Sequence, residues 1–315
     1  VKTLSALAVR AKRVAVLGLV LVGIGAGAAT AYWTASDEVH GSAGASSVGI
    51  TQTKPLKLEK TYNAGALIAA DAVTITNTGE REASVKSTVS AAGGQTLSSA
   101  LVMRIAEVAS VEACTPGAGL TGAVMGGTGL SYVPLKKLPA GQSIIVCVQT
   151  FLTPQKLFSL PSGSAKVSVT STLTFAQGAK WKLSETADVS QHLATDRASG
   201  APVATCTGDS TWRNYDELTF GLKRDFASGA TDVRAFIVQD GQISELAGSA
   251  ITVNRAARTV IISEETLRAH RKGLGHAQVV ITQGEVTGIR TVAGLGRIEF
   301  TSALNLDWIT HASCR

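Results

Sequence analysis

Residues 165–175 alternate in character: Ala165, Val167, Val169, Leu173 and Phe175 are apolar, and Lys166, Ser168, Thr170, Thr172 and Thr174 between them are polar. A period of two held over this length buries one face of a β-strand and gives the other to water. Such a strand needs neighbours at its edges and a second layer over its apolar face, so the segment points to a sheet sandwich. The same signals recur upstream. Val73-Thr74-Ile75-Thr76 reads as a strand entering the turn Asn77-Thr78-Gly79-Glu80, with residues 85–89 continuing the alternation. Leu138-Pro139-Ala140-Gly141-Gln142 is a turn that delivers residues 144–148 into another strand and places Cys147 in a sheet.

A second strand array follows. Leu218, Phe220 and Leu222 alternate with Thr219, Gly221 and Lys223, and Gln239-Asp240-Gly241-Gln242 is an Asp-Gly turn between apolar stretches. That dipeptide is the strongest short hairpin signal in the chain. Residues 251–253 and 259–262 flank another turn, and segments 277–282, 288–292 and 297–306 bring the array to about seven strands, which suits an immunoglobulin-like sandwich. One helix is expected, over 263–271, with Ser263 as its cap and Glu264 and Glu265 in its first turn. The small, polar segment 190–205 reads as a linker.

The four cysteines support the same division. Cys114 and Cys147 fall in the first array, and Cys206 and Cys314 bracket the second. Three pairings are possible, and the local one, Cys114–Cys147 with Cys206–Cys314, agrees with two domains. In an exported chain, where the compartment is oxidising, an even count of four reads as two disulfides. Metal binding would need clustered ligands, and there is no C-x-x-C pair.

The N-terminus points to export. Lys2, Arg10, Lys12 and Arg13 precede an apolar Val/Leu/Ile/Ala/Gly run over 14–29, and the first acid is Asp37. A basic start and a run too short for a membrane span read as a signal peptide. Ala29-Thr30-Ala31 supplies a small-residue cleavage site and leaves Tyr32 as the mature N-terminus. Of 29 Lys and Arg against 23 Asp and Glu, four basic residues belong to the leader, so the +6 net charge falls to +2 without it. Basicity therefore gives little ground for nucleic-acid binding.

The leader followed by Thr30-Ala31-Tyr32-Trp33-Thr34-Ala35-Ser36-Asp37 resembles the SipW-dependent type of signal peptide on Gram-positive exported proteins, a group that includes the TasA and camelysin biofilm-matrix family. The resemblance covers about 37 residues. It implies a β-rich domain after the cut, with Val48-Gly49-Ile50-Thr51 as its first strand, and assembly by addition of an N-terminal strand to a neighbouring subunit. Camelysin-like proteins have been classed with proteases, but no zinc-protease motif occurs here.

The expected architecture is all-β: a signal peptide (1–31), a flexible N-terminal arm (32–47), a TasA/camelysin-like sandwich (48–189), the linker (190–205) and an immunoglobulin-like sandwich (206–315). Both sandwiches are expected to be antiparallel, and the signal peptide to be helical. No H-E-x-x-H, G-x-S-x-G, Walker A or EF-hand pattern occurs. The glycines 117, 119 and 122 match a dinucleotide fingerprint in spacing but lack its strand and helix context. His270 and His276 are six apart without a third ligand nearby, and read as a basic surface turn. Asp209, Asp216 and Glu217 are oxygen ligands of undiagnostic spacing, and Arg268, Arg271 and Lys272 form a basic cluster suited to an anionic wall polymer or simply to water.

Four tryptophans, Trp33, Trp181, Trp212 and Trp308, are candidate glycan platforms or core aromatics. Trp181 stands out between Lys180 and Lys182, and Trp181 and Trp212 are the expected ligand contacts. The expected function is a secreted, non-enzymatic, envelope-associated matrix or surface protein without cofactor or metal. Its partners would be signal peptidase during export and then further copies of itself or an envelope glycan, with no nucleic acid and no membrane after processing. The alternatives are an adhesin-like binding module and a hydrolase assembled from dispersed Asp, Glu and His.

Overall fold

A computed structural model describes residues 47–93, 95–116, 118–120, 124–126, 129–161, 163–175, 181–208, 217–226, 232–284, 290–302 and 310–315. The leader, the cleavage residues Ala29, Ala31 and Tyr32, most of the arm, Trp33, Trp212, Trp308, Asp209 and Asp216 lie outside the described residues. No helix among the described residues is long and apolar enough to cross a membrane.

The fold is all-β and built of packed sheet pairs. In the first pair, one sheet runs in the order β1 (Ile50–Gln52), β3 (Ile68–Asn77), β8 (Ser143–Phe151), β5 (Val102–Glu107), β6 (Val124–Gly126). The other runs β2 (Lys60–Tyr62), β10 (Trp181–Leu193), β9 (Ser164–Phe175), β4 (Ala83–Ala92), β7 (Gly129–Tyr132). Val73, Ile75, Val146 and Val148 from the first meet Val85, Val89, Val167 and Val169 from the second in one core. The apolar row of β9 is buried and its polar row is not. Ser171 breaks that inward row and stands in register opposite Ser87, so two small buried hydroxyls face each other where larger residues would be expected.

The turn at 77–80 carries the chain from β3 to β4, which belong to different sheets. The buried Asn77 turns this corner: its Nδ2 donates to the carbonyls of Arg81 (2.6 Å) and Leu138 (3.1 Å), and its Oδ1 accepts the Gly79 N–H (3.1 Å). Against expectation, the sheets are not wholly antiparallel, because β2 pairs with β10 in parallel. Two further short helices occur, α1 (Gln95–Ala100) and α2 (Pro154–Ser159). Six residues are too few to show a helical period, although Thr153-Pro154 is a legible start signal, with Thr153 capping the Lys156 N–H.

The second pair has the sheet β11 (Thr205–Thr207), β12 (Glu217–Gly221), β16 (Thr259–Ser263), β15 (Ile251–Asn254) facing β14 (Gln242–Glu245), β13 (Val233–Gln239), β17 (Gly275–Gly284), β18 (Arg290–Ser302), β19 (Thr310–Cys314). Read in chain order, this is the immunoglobulin arrangement of A, B, E, D against C′, C, F, G, with β19 added beyond G. Asp240 and Gly241 both have positive φ (50° and 73°), as a type I′ turn requires, and they join β13 to β14 as expected. The described parts of segments 288–292 and 297–306, expected as separate strands, fall on one continuous β18, bulged against Ile281 and Thr282 of β17. Gly296 in this strand makes room for a ring, since a Cβ there would lie 2.5 Å from Phe220. The helix α3 (Glu264–His270) is capped by Ser263, whose Oγ accepts the Thr266 N–H.

Residues 190–205 are not a free tether. Ser190 to Leu193 finish β10, and the buried Gln191 bonds inside the first core. Arg197 donates to the carbonyls of Leu157 (3.2 Å) and Leu160 (3.1 Å), and Ala204 N–H bonds the Leu295 carbonyl. Polar residues that fix a connection look, in sequence, like polar residues that solvate one. Phe236, Val280, Val292 and Leu295 of the second sheet pair join the core of the first, and residues 44–315 form one compact unit.

Candidate functional site

The longest strand pairing runs from Phe175 opposite Trp181 to Ser164 opposite His192, joining β9 and β10. Its solvent face carries rows of hydroxyls. Thr170 Oγ1 is 2.9 Å from Thr186 Oγ1, Thr172 Oγ1 is 2.8 Å from Ser184 Oγ, and Ser168 donates to Asp188 at 2.7 Å. Lys166 Nζ is 2.5 Å from Asp188. Hydrogen bonds from Lys166 and then Ser168 hold the Asp188 carboxyl below its ordinary range. These cross-strand pairs keep β10 aligned on β9.

The C-terminal end of β10 is anchored from within. Tyr62 OH lies 2.7 Å from Thr150 Oγ1 and donates to Gln191 Oε1 at 3.1 Å. Gln191 Nε2 donates to Leu58 O and Thr150 Oγ1, each at 2.8 Å. Burial pushes the Tyr62 hydroxyl well above its ordinary pKa, so it stays a neutral donor.

On its other side β10 is hydrogen-bonded to a strand only where β2 pairs with Gln191, His192 and Leu193. Residues 182–190 therefore have no hydrogen-bonded partner strand on that side among the described residues, although β1 of the facing sheet packs close to β10. The strands at the sheet edges are three to five residues long. Short edges protect a sheet against stray pairing; a long one is a template for another strand. Glu185 stands half-buried on the inward row of this edge.

The disulfides join Cys114 to Cys147 and Cys206 to Cys314. The first lies against Ala70 and Ala72 on the outer side of β3 and β8, where Gln149 Nε2 also donates to Thr115 O and Ala118 O. It holds Cys114 and the residues beside it onto the sheet. The second ties β11 to β19 across the two sheets. Among the described residues no three His, Cys, Asp or Glu side chains gather as for a metal. His270 and His276 are not brought together: His270 Nδ1 lies 2.9 Å from Thr266 O on its own helix, and His276 Nδ1 lies 3.7 Å from Glu299. Trp181 is 40% exposed at the start of β10, and Glu217 is exposed at the start of β12.

Sequence reasoning missed Glu264. Placed in the first turn of α3 and read as a helix-dipole residue, it is 1% exposed, accepts the Ala312 N–H at 3.0 Å and lies 3.3 Å from His311 Nδ1. Only knowing that β19 passes the helix start would reveal that role.

No family model matches the chain, and no curated protein matches it. Among solved structures it is similar to the major pilin subunit BcpA of Bacillus cereus, at 10% identity and a TM-score of 0.31 over 82% of this chain and 68% of that one. It is similar to the sporulation control protein Spo0M of Bacillus subtilis at 9% identity and 0.22, over 82% and 91%. A biofilm-associated protein's BSP domain follows at 10% identity and 0.23, over 81% and 51%.

Proposed function

We propose that the chain is an exported, envelope-associated structural protein that assembles by adding a strand of one copy to the open edge of β10 in the next. The observation that carries this reading is the stretch 182–190, which no described strand pairs on the side away from β9. Main-chain hydrogen bonds supply affinity in such an addition, and alternate side chains supply selectivity. The incoming segment is the arm 32–47, exposed as a new N-terminus once signal peptidase cuts after Ala31. The disulfides suit the oxidising exterior.

Neighbouring prolines test the edge. In an antiparallel pair, successive residues direct their N–H groups to opposite sides. Of Thr186→Pro and Ala187→Pro, one removes a bond to β9 and the other removes only an outward N–H. The expected result is that one variant loses stability and the other keeps it while losing the fibres or oligomers that the processed protein forms by light scattering and electron microscopy. Removing residues 32–47 is expected to leave monomers. Unchanged assembly in both proline variants would sink the edge as the site.

Exposure of Trp181 favours a second reading, a glycan-binding surface on the same strand. Trp181→Ala abolishing retention on cell walls while assembly persists would select it.

A further inference from the structure

The outer face of the second sandwich changes character along its strands. Phe236, Val280 and Leu295 stand in register across β13, β17 and β18, and all three are buried in the larger core. Two residues along the same strands comes the row Val238, Gln278, Arg297. Arg315 continues it beyond β19, its N–H bonded to the Arg297 carbonyl at 3.1 Å. A step of two keeps this row on the same face, just past the apolar contact. With His276 from the next row and Asp240 from the β13–β14 turn, these residues line a concavity of about 500 Å³.

In this sandwich Arg234 pairs with Asp232 and Glu245, Arg258 with Asp225, and Arg290 with Asp232. Arg297 and Arg315 are exposed and have no carboxylate at ion-pair distance among the described residues. Arg315 Nη1 lies instead 2.6 Å from His276 Nδ1. Like charges directly opposite on paired strands are unfavourable, and an anion between them would reverse the sign of that contribution. One guanidinium fork satisfies both oxygens of a carboxylate, whereas a phosphate group has oxygens for two forks at once.

We propose that this concavity binds a phosphate group, free or within a phosphodiester polymer, with Arg297 and Arg315 as paired donors and His276 beside them. The site stands apart from the β10 edge and does not depend on strand addition.

Isothermal titration of the intact protein with inorganic phosphate, with poly(glycerol phosphate) and with acetate tests the proposal. Phosphate is expected to bind and acetate to bind much more weakly; tighter binding of the polymer at equal phosphate content identifies it as the source, and parity identifies the free ion. Arg297→Gln and Arg315→Gln should each weaken phosphate binding by about tenfold, the equivalent of one charge-assisted hydrogen bond. Arg297→Lys, which keeps the charge and loses the fork, should weaken it as well. Lys137→Gln removes an equal charge from a residue paired with Glu82 in the other sandwich and should change nothing. Because Arg297 and Arg315 are exposed and like-charged, their variants should melt no lower than the wild type without phosphate. Equal affinity for acetate, or equal weakening by Lys137→Gln, would overturn the assignment.

Discussion

The two sheet pairs secure their last strands by different means. In the first, β10 is held at one end by the buried hydrogen bonds of Tyr62, Thr150 and Gln191, and along β9 by its hydroxyl rows. In the second, β19 is held by the Cys206–Cys314 bond and by Glu264 accepting the Ala312 N–H. The covalently tied strand is short and pairs with β18 from Ile298 to Ser302. The strand tied by hydrogen bonds is long and keeps one side open over 182–190. A last strand fixed at one end and unpaired along one side is where the proposed strand addition would dock; one fixed through a disulfide to the first strand offers no such stretch at its own end.

Breaking the covalent half of the comparison should give the largest effect. Cys206 and Cys314 are 108 residues apart, and loop entropy assigns their bond about 4.8 kcal/mol. Cys114 and Cys147 are 33 apart, which corresponds to about 3.7 kcal/mol. Paired Cys→Ser variants compared by denaturant midpoints should rank in that order. The reverse ranking would mean that the second sandwich is closed chiefly by Glu264 and its strand ladder.

The hydrogen-bonded half sharpens next. Tyr62→Phe removes the shared hydroxyl between Thr150 and Gln191 and should cost about 1–3 kcal/mol, the penalty for leaving buried polar groups without partners. Glu264→Ala should cost a similar amount by orphaning the Ala312 N–H, while Glu264→Gln, which keeps an acceptor oxygen, should cost less. Hydrogen exchange separates the two: Tyr62→Phe should expose amides at the end of β10, and Glu264→Ala those of β19. Exchange spread evenly over both sandwiches in either variant would dissolve the distinction between them.

Local pattern made much of this fold legible. The alternation at 165–175, the Asp-Gly turn at 240–241 and the Ser263 cap each carry their geometry within a few residues, and each appears where the sequence placed it. Positions whose meaning depends on a distant neighbour were not readable. Asn77 looks like an ordinary turn residue until Leu138 arrives beside it, Gly296 looks like punctuation until Phe220 packs on it, and Glu264 looks like a helix-start acid until β19 crosses it. The open edge belongs to the same class. Period two identifies a strand and its buried face, but which strand lies beside it, and for how many residues, is a property of the sheet order.

The smallest effect concerns that edge. Asp188 sits on the outward row of β10, bonded to Lys166 and Ser168, with its side chain 42% exposed. Exposed pairs of this kind contribute about 0–1 kcal/mol. Because the native state holds the Asp188 carboxyl below its ordinary pKa, its contribution is present above the unfolded value of about 3.9 and fades as pH falls through the lower folded value. Asp188→Asn should therefore cost a few tenths of a kcal/mol at pH 7, and the two proteins should converge in stability once the pH lies below the folded value. A gap that stayed constant down to pH 2 would locate the effect in packing rather than charge. If the charged pair keeps β10 straight against β9, Asp188→Asn should also slow assembly at neutral pH more than its stability cost alone accounts for, whereas a change in assembly matching that cost would leave the outward row with no part in presenting the edge.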